Sequence, residues 1–132
     1  IWVGGHLVLA LSLLPEAMAK REPELINGFE RIYERIGLPA LVVQVLTGLW
    51  LALQLLPEIA TWLEWGDPVA LTISLKLACL AATIGLAVHA RLAIIPRLNA
   101  ASLPMLGAHI VAVTALALAF VWLGLAFRYG GV

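Results

Sequence analysis

Four apolar runs dominate this chain, each close to the roughly 20 residues a helix needs to cross a bilayer. They extend from Ile1 to about Met18, from about Leu38 to Leu56, from about Val69 to Ile95, and from about Leu103 to Phe127. None alternates apolar and polar residues as the strands of a membrane barrel do. Inside hydrocarbon a backbone must satisfy its own N–H and C=O groups, and without a closed barrel only a helix does so. The sequence therefore predicts an all-α fold: an integral membrane four-helix bundle, one four-span domain over residues 1–132.

Composition removes the competing classes. Of 132 residues, 63% are hydrophobic and 12% are charged, where a soluble domain is about half apolar and about a quarter charged. Apolar surface in that excess aggregates in water, which excludes a soluble enzyme or a disordered tail. The formal net charge is zero, so the basic footprint of a nucleic-acid binder is missing. The single cysteine, Cys79, excludes an internal disulfide framework and a multi-thiolate zinc site. The sequence opens on Ile1 inside an apolar run, so the first span is expected to gain length upstream. Ala17-Met18-Ala19 has the small-x-small form of a cleavage site, but no basic segment precedes the run, and a signal peptide is not the expectation.

Charge asymmetry predicts the topology. Lys20, Arg21, Arg31 and Arg35 lie between the first two runs, and Arg91 and Arg97 flank the junction of the last two. The middle connection carries Glu58, Glu64 and Asp67 and no Lys or Arg. The positive-inside rule puts the basic segments in the cytoplasm and both termini on the far side, periplasmic in a bacterial inner membrane. Arg128 is the one exception. Trp2, Trp50, Trp62, Trp65 and Trp122 all fall toward that far side, as interfacial anchors do. Residues 23–36 read as a short cytoplasmic amphipathic helix, with Leu25, Phe29, Ile32 and Ile36 on one face and Glu30, Arg31, Glu34 and Arg35 away from it. Such a segment is expected to lie along the membrane surface.

Ionisable groups inside spans are costly and so mark candidate sites. They are His6, Lys76, His89 and His109, with Glu16 and Arg91 nearer the basic border. His89 and His109 stand about ten residues on either side of a turn near Asn99, about 15 Å from it at about 1.5 Å per residue. On adjacent antiparallel spans they reach the same depth, which suits a pair of axial imidazoles on haem b. Gly85 and Ala112 each lie one turn away on the same faces, leaving room for a planar ligand. A histidine that only bonds a neighbouring carbonyl is the plainer reading, and for His6, beside Gly4-Gly5, the two readings are balanced. Lys76 either snorkels to the interface or serves as countercharge to a propionate, a quinone or another anion; Arg91 could do so at the basic face. Met105, four residues before His109, offers a thioether that with His89 and His109 would suit copper. Cys79 reads as a packing residue.

These residues also resemble a family. Ile1-Trp2-Val3-Gly4-Gly5, the run Leu75-Lys76-Leu77 followed by His89, and His89-Ala90-Arg91-Leu92 with Ile95-Pro96-Arg97-Leu98 are similar to the CopD copper-resistance membrane proteins. They also resemble the related HemJ proteins, whose third helix carries a Lys and then a His. The resemblance implies a four-helix inner-membrane bundle associated either with copper movement or with haem b and porphyrinogen oxidation. Members commonly carry a histidine upstream of the Trp-Gly segment, a position before Ile1. The expectation is a membrane redox or electron-transfer protein that binds haem b through His89 and His109, with His6, Lys76 and Arg91 contributing. The alternatives are a copper transport or tolerance protein using His89, His109 and Met105, and a non-catalytic accessory subunit of a respiratory complex. Expected partners are the lipid bilayer, a quinone or redox partner, and further copies or other chains in an oligomer.

Overall fold

The computed structural model describes residues 1–132 and contains four long helices and no strand. We label them α1 (Trp2–Lys20), α2 (Glu24–Leu55), α3 (Pro68–Arg97) and α4 (Leu103–Tyr129). All four are long and apolar enough to cross a membrane, and the chain is a multi-pass helical membrane protein. Only 20 of the 132 residues are buried within the protein, while leucines and valines face outward on every helix. That inversion is what hydrocarbon as solvent permits.

Local sequence explains the helix limits. The Asp67 carboxylate accepts hydrogen bonds from the backbone N–H groups of Val69 (2.7 Å) and Ala70 (3.0 Å), with Pro68 in the first turn, which starts α3. The Asn99 side chain accepts from Ala101 (2.8 Å) and Ser102 (3.0 Å) and turns the chain into α4. α1 stops where Arg21 takes a left-handed conformation (φ 56°).

Two helices contain one wide π-type turn each, at Leu9–Leu13 in α1 and Ala90–Ile94 in α3. In each the last N–H reaches five residues back, Leu14 to Leu9 and Ile95 to Ala90. A proline follows both, Pro15 and Pro96. Proline has no N–H to give, and its ring crowds the carbonyl four residues earlier, so widening the preceding turn relieves the clash. The wide turns begin just after His6 and His89, and such turns favour functional sites.

α4 lies between α1 and α3, and α2 packs on α1. At the end bearing Lys20, Arg91 and Arg97, all four helices meet in a core of Leu9, Leu14, Ala17, Ile26, Ile94, Leu103, Leu106 and Ile110. Gly107 admits Leu14 here; a Cβ on it would stand 3.1 Å from the leucine methyl. At the opposite, acidic end the core is only Ala52, Trp62 and Ile73.

Two expectations change. Residues 23–36 do not form a separate surface helix; they are the first turns of α2, continuous through Pro39 into the span. At about 1.5 Å per residue, 32 residues exceed a bilayer core of about 30 Å, so part of this helix lies outside it. Their inward face is also rotated from the expected one. Ile26, Phe29, Tyr33 and Gly37 turn inward, while Ile32 and Ile36 are exposed. The cause is Tyr33, whose hydroxyl donates to the carbonyls of Ile1 (2.8 Å) and Trp2 (3.2 Å). The other change is Trp62, expected at the interface but buried, its indole N–H donating to the Leu56 carbonyl at the end of α2 (2.9 Å).

Candidate functional site

The polar residues of the basic end surround a cavity of about 410 Å³ between α1, α2, α3 and α4. Its body is apolar, lined by Leu9, Leu86, Leu106, Ile110 and Val113. Its mouth is charged, with Glu30, Arg31 and Glu34 from α2 and Arg91 from α3. Arg91 forms an ion pair with Glu34, the polar tie between α2 and α3. The cavity thus combines an apolar body with four charged side chains and two imidazoles.

Two imidazoles line it. His6 is half-buried, its ring centroid 4.4 Å from that of Trp2 with the planes tilted by 42°, and the Tyr33 ring is edge-on at 6.1 Å. Its Nδ1 lies 3.0 Å from the Trp2 carbonyl. A carbonyl only accepts, so Nδ1 carries the proton and the Nε2 of the neutral ring keeps a lone pair. Gly5 is required here, because a Cβ would collide with the Tyr33 ring that walls the cavity.

His109 reaches the cavity from α4, and its Nδ1 donates to the Met105 carbonyl at 3.0 Å. Its Nε2 is therefore the acceptor in the 2.9 Å contact with His89 Nδ1, which must be the donor. The two rings lie 16° from parallel with centroids 5.0 Å apart. A nitrogen–nitrogen distance this short in near-parallel rings means that they meet edge to edge. The equal depth expected from the sequence is thus realised, as a direct hydrogen bond. His89 itself is exposed and sits outside the cavity, behind His109.

This contact bears on metal binding. Imidazole nitrogens stand about 2 Å from a first-row metal ion, so two of them on opposite faces of one iron are about 4 Å apart. His89 and His109 as arranged, 2.9 Å apart and bonded to each other, do not fit an iron between them. His6 and His109 do line one shared space. No three His, Cys, Asp or Glu side chains converge as a metal-binding group.

The other candidates lie elsewhere. The Lys76 ammonium sits 5.1 Å over the Phe127 ring near Gly124, toward the acidic end and away from the histidine cavity. Met105 offers His109 its carbonyl, while its side chain is half exposed. Gly85 faces open space. Sequence reasoning missed Tyr33, and it assigned Glu30 and Glu34 to a solvated face. A usable signal was present: Phe29, Tyr33 and Gly37 recur every fourth residue, an aromatic-and-small stripe of the kind that packs against another helix.

No family model, no curated protein and no solved structure matches this chain.

Proposed function

We propose that this chain is a CopD-like protein of the bacterial inner membrane that holds haem b for membrane electron transfer. The observation that supports this reading is the meeting of His6 and His109 on one apolar cavity whose mouth carries Arg31 and Arg91. Haem b, when bound, supplies an iron centre that carries one electron. The apolar walls would take the porphyrin body, and Arg31 would meet a propionate through a charge-assisted hydrogen bond, as would Arg91 once released from Glu34. The Trp2 carbonyl fixes the tautomer of His6 so that Nε2 is free to ligate. The Met105 carbonyl does the same for His109, whose Nε2 must first leave His89. In this reading His89 would be a positioning residue rather than a ligand. A copper site on Met105 has weaker support, because its thioether is not turned to the histidines' shared cavity.

The test is the visible spectrum and haem content of the purified protein. The expected result is a Soret band, a reduced alpha band and about one haem per chain; stoichiometric copper without haem would overturn the proposal. The same reading puts both termini in the periplasm. Single cysteines replacing Glu22 and Glu64, in a Cys79→Ala background, should react with a membrane-impermeant maleimide from the cytoplasmic and periplasmic sides respectively. Labelling of position 64 only from the cytoplasm would reverse the orientation.

A further inference from the structure

The middle of α2 is bare. Its first turns pack on α1, and near its end Ala52 touches Trp62 and Ile73, but between Leu38 and Leu51 no residue of α2 is buried. Within that stretch stands Gln44, exposed and outside the cavity. It lies six residues past Leu38, about 9 Å into the span at about 1.5 Å per residue. The neighbouring hydroxyl of Thr47 is satisfied by its own helix, donating to the carbonyls of Val43 (2.8 Å) and Gln44 (3.2 Å). The Gln44 amide has no such partner in the chain. An amide left unsatisfied in hydrocarbon is strongly unfavourable, and lipid tails cannot supply the missing bonds. Gly48 follows one turn later on the same face, with nothing within 4 Å of where its Cβ would be.

We propose that this face of α2 binds α2 of a second copy of the same chain about a two-fold axis along the membrane normal. A primary amide is both donor and acceptor, so Gln44 on one copy can pair reciprocally with Gln44 on the other. Two-fold symmetry needs that self-complementarity, because the same residues face each other across the axis. Parallel insertion puts the two amides at one depth, and Gly48 lets the backbones approach. The inference is independent of haem.

The experiment uses the full chain in lipid vesicles. Gln44→Cys in a Cys79→Ala background should form a disulfide-linked dimer on oxidation, while Leu46→Cys, 200° around the helix, should not. Gln44→Leu should weaken dimerisation by about tenfold, read by energy transfer between labelled copies over a range of protein-to-lipid ratios; Gln44→Asn should retain part of it. A chain that stays monomeric at every ratio, unchanged dimerisation in Gln44→Leu, or preferential cross-linking at position 46 would each overturn the proposal. Cross-linking of position 44 only to a different protein would overturn it as well.

Discussion

The two ends of the bundle are built differently. At the basic end four helices share an eight-residue core, an ion pair joins α2 to α3, and two histidines and Tyr33 are held in place by backbone carbonyls. At the acidic end the buried cluster is smaller, with Ala52, Trp62 and Ile73, and the elements are joined by the Trp62 indole, by Ser74 donating to the Trp62 carbonyl, by the Val132 N–H donating to Thr72, and by a lysine over a phenylalanine ring. Lipid does not drive apolar helices together, since it is as apolar as they are. Close packing is therefore found where specific contacts require it. In this chain it coincides with the polar groups around the cavity, whose hydrogen bonds and ion pair tie the helices together there.

Substitutions at the two ends should separate accordingly. Leu106→Ala, in the basic core, is expected to cost about 2–5 kcal/mol, whereas Leu46→Ala on the lipid face should change stability by less than about 0.5 kcal/mol. Unfolding in mixed micelles with rising dodecyl sulfate would measure both, and equal losses would erase the contrast. Gly5→Val should cost about 1–3 kcal/mol by overpacking against Tyr33, and it should deplete bound haem because Tyr33 walls the cavity. A small effect is expected at the other end. Lys76→Met removes a cation–π contact worth about 0.5–1 kcal/mol and should leave the visible spectrum unchanged. A shifted or lost Soret band in Lys76→Met would place the site across both ends.

The contrast also separates what the sequence disclosed from what it did not. The spans followed from hydrophobic length, which is a property of each segment alone. The start of α3 near Val69 followed from the hydrophobic run, and the structure adds the local chemistry that sets it, the Asp67 cap with Pro68 in the first turn. The approach of His89 to His109 was legible because a short turn fixes the depth of antiparallel neighbours. The meeting of His6 with Tyr33 and with the cavity was not. It depends on the rotation of α1 against α2, set by Gly5 and by the Tyr33 hydroxyl reaching Ile1 and Trp2 more than 30 residues away. The rotated face of residues 23–36 has the same origin: Ile32 and Ile36 have the periodicity of a buried stripe, but the hydrogen bonds of Tyr33 decide which face turns inward. The wide turns before Pro15 and Pro96 were not legible in the prolines alone, since Pro39 also lies inside a helix and no wide turn precedes it.

The hydrogen bond between His89 and His109 gives the central claim its sharpest test. Haem ligation by His6 and His109 and ligation by His89 and His109 predict opposite outcomes for one pair of variants. Low-temperature electron paramagnetic resonance of the oxidised protein should be recorded for His6→Ala and His89→Ala beside the unaltered chain. The cavity described above predicts a low-spin bis-imidazole signal that is lost in His6→Ala and persists, with shifted g values, in His89→Ala. A signal that survives unchanged in His6→Ala and disappears in His89→Ala would contradict it.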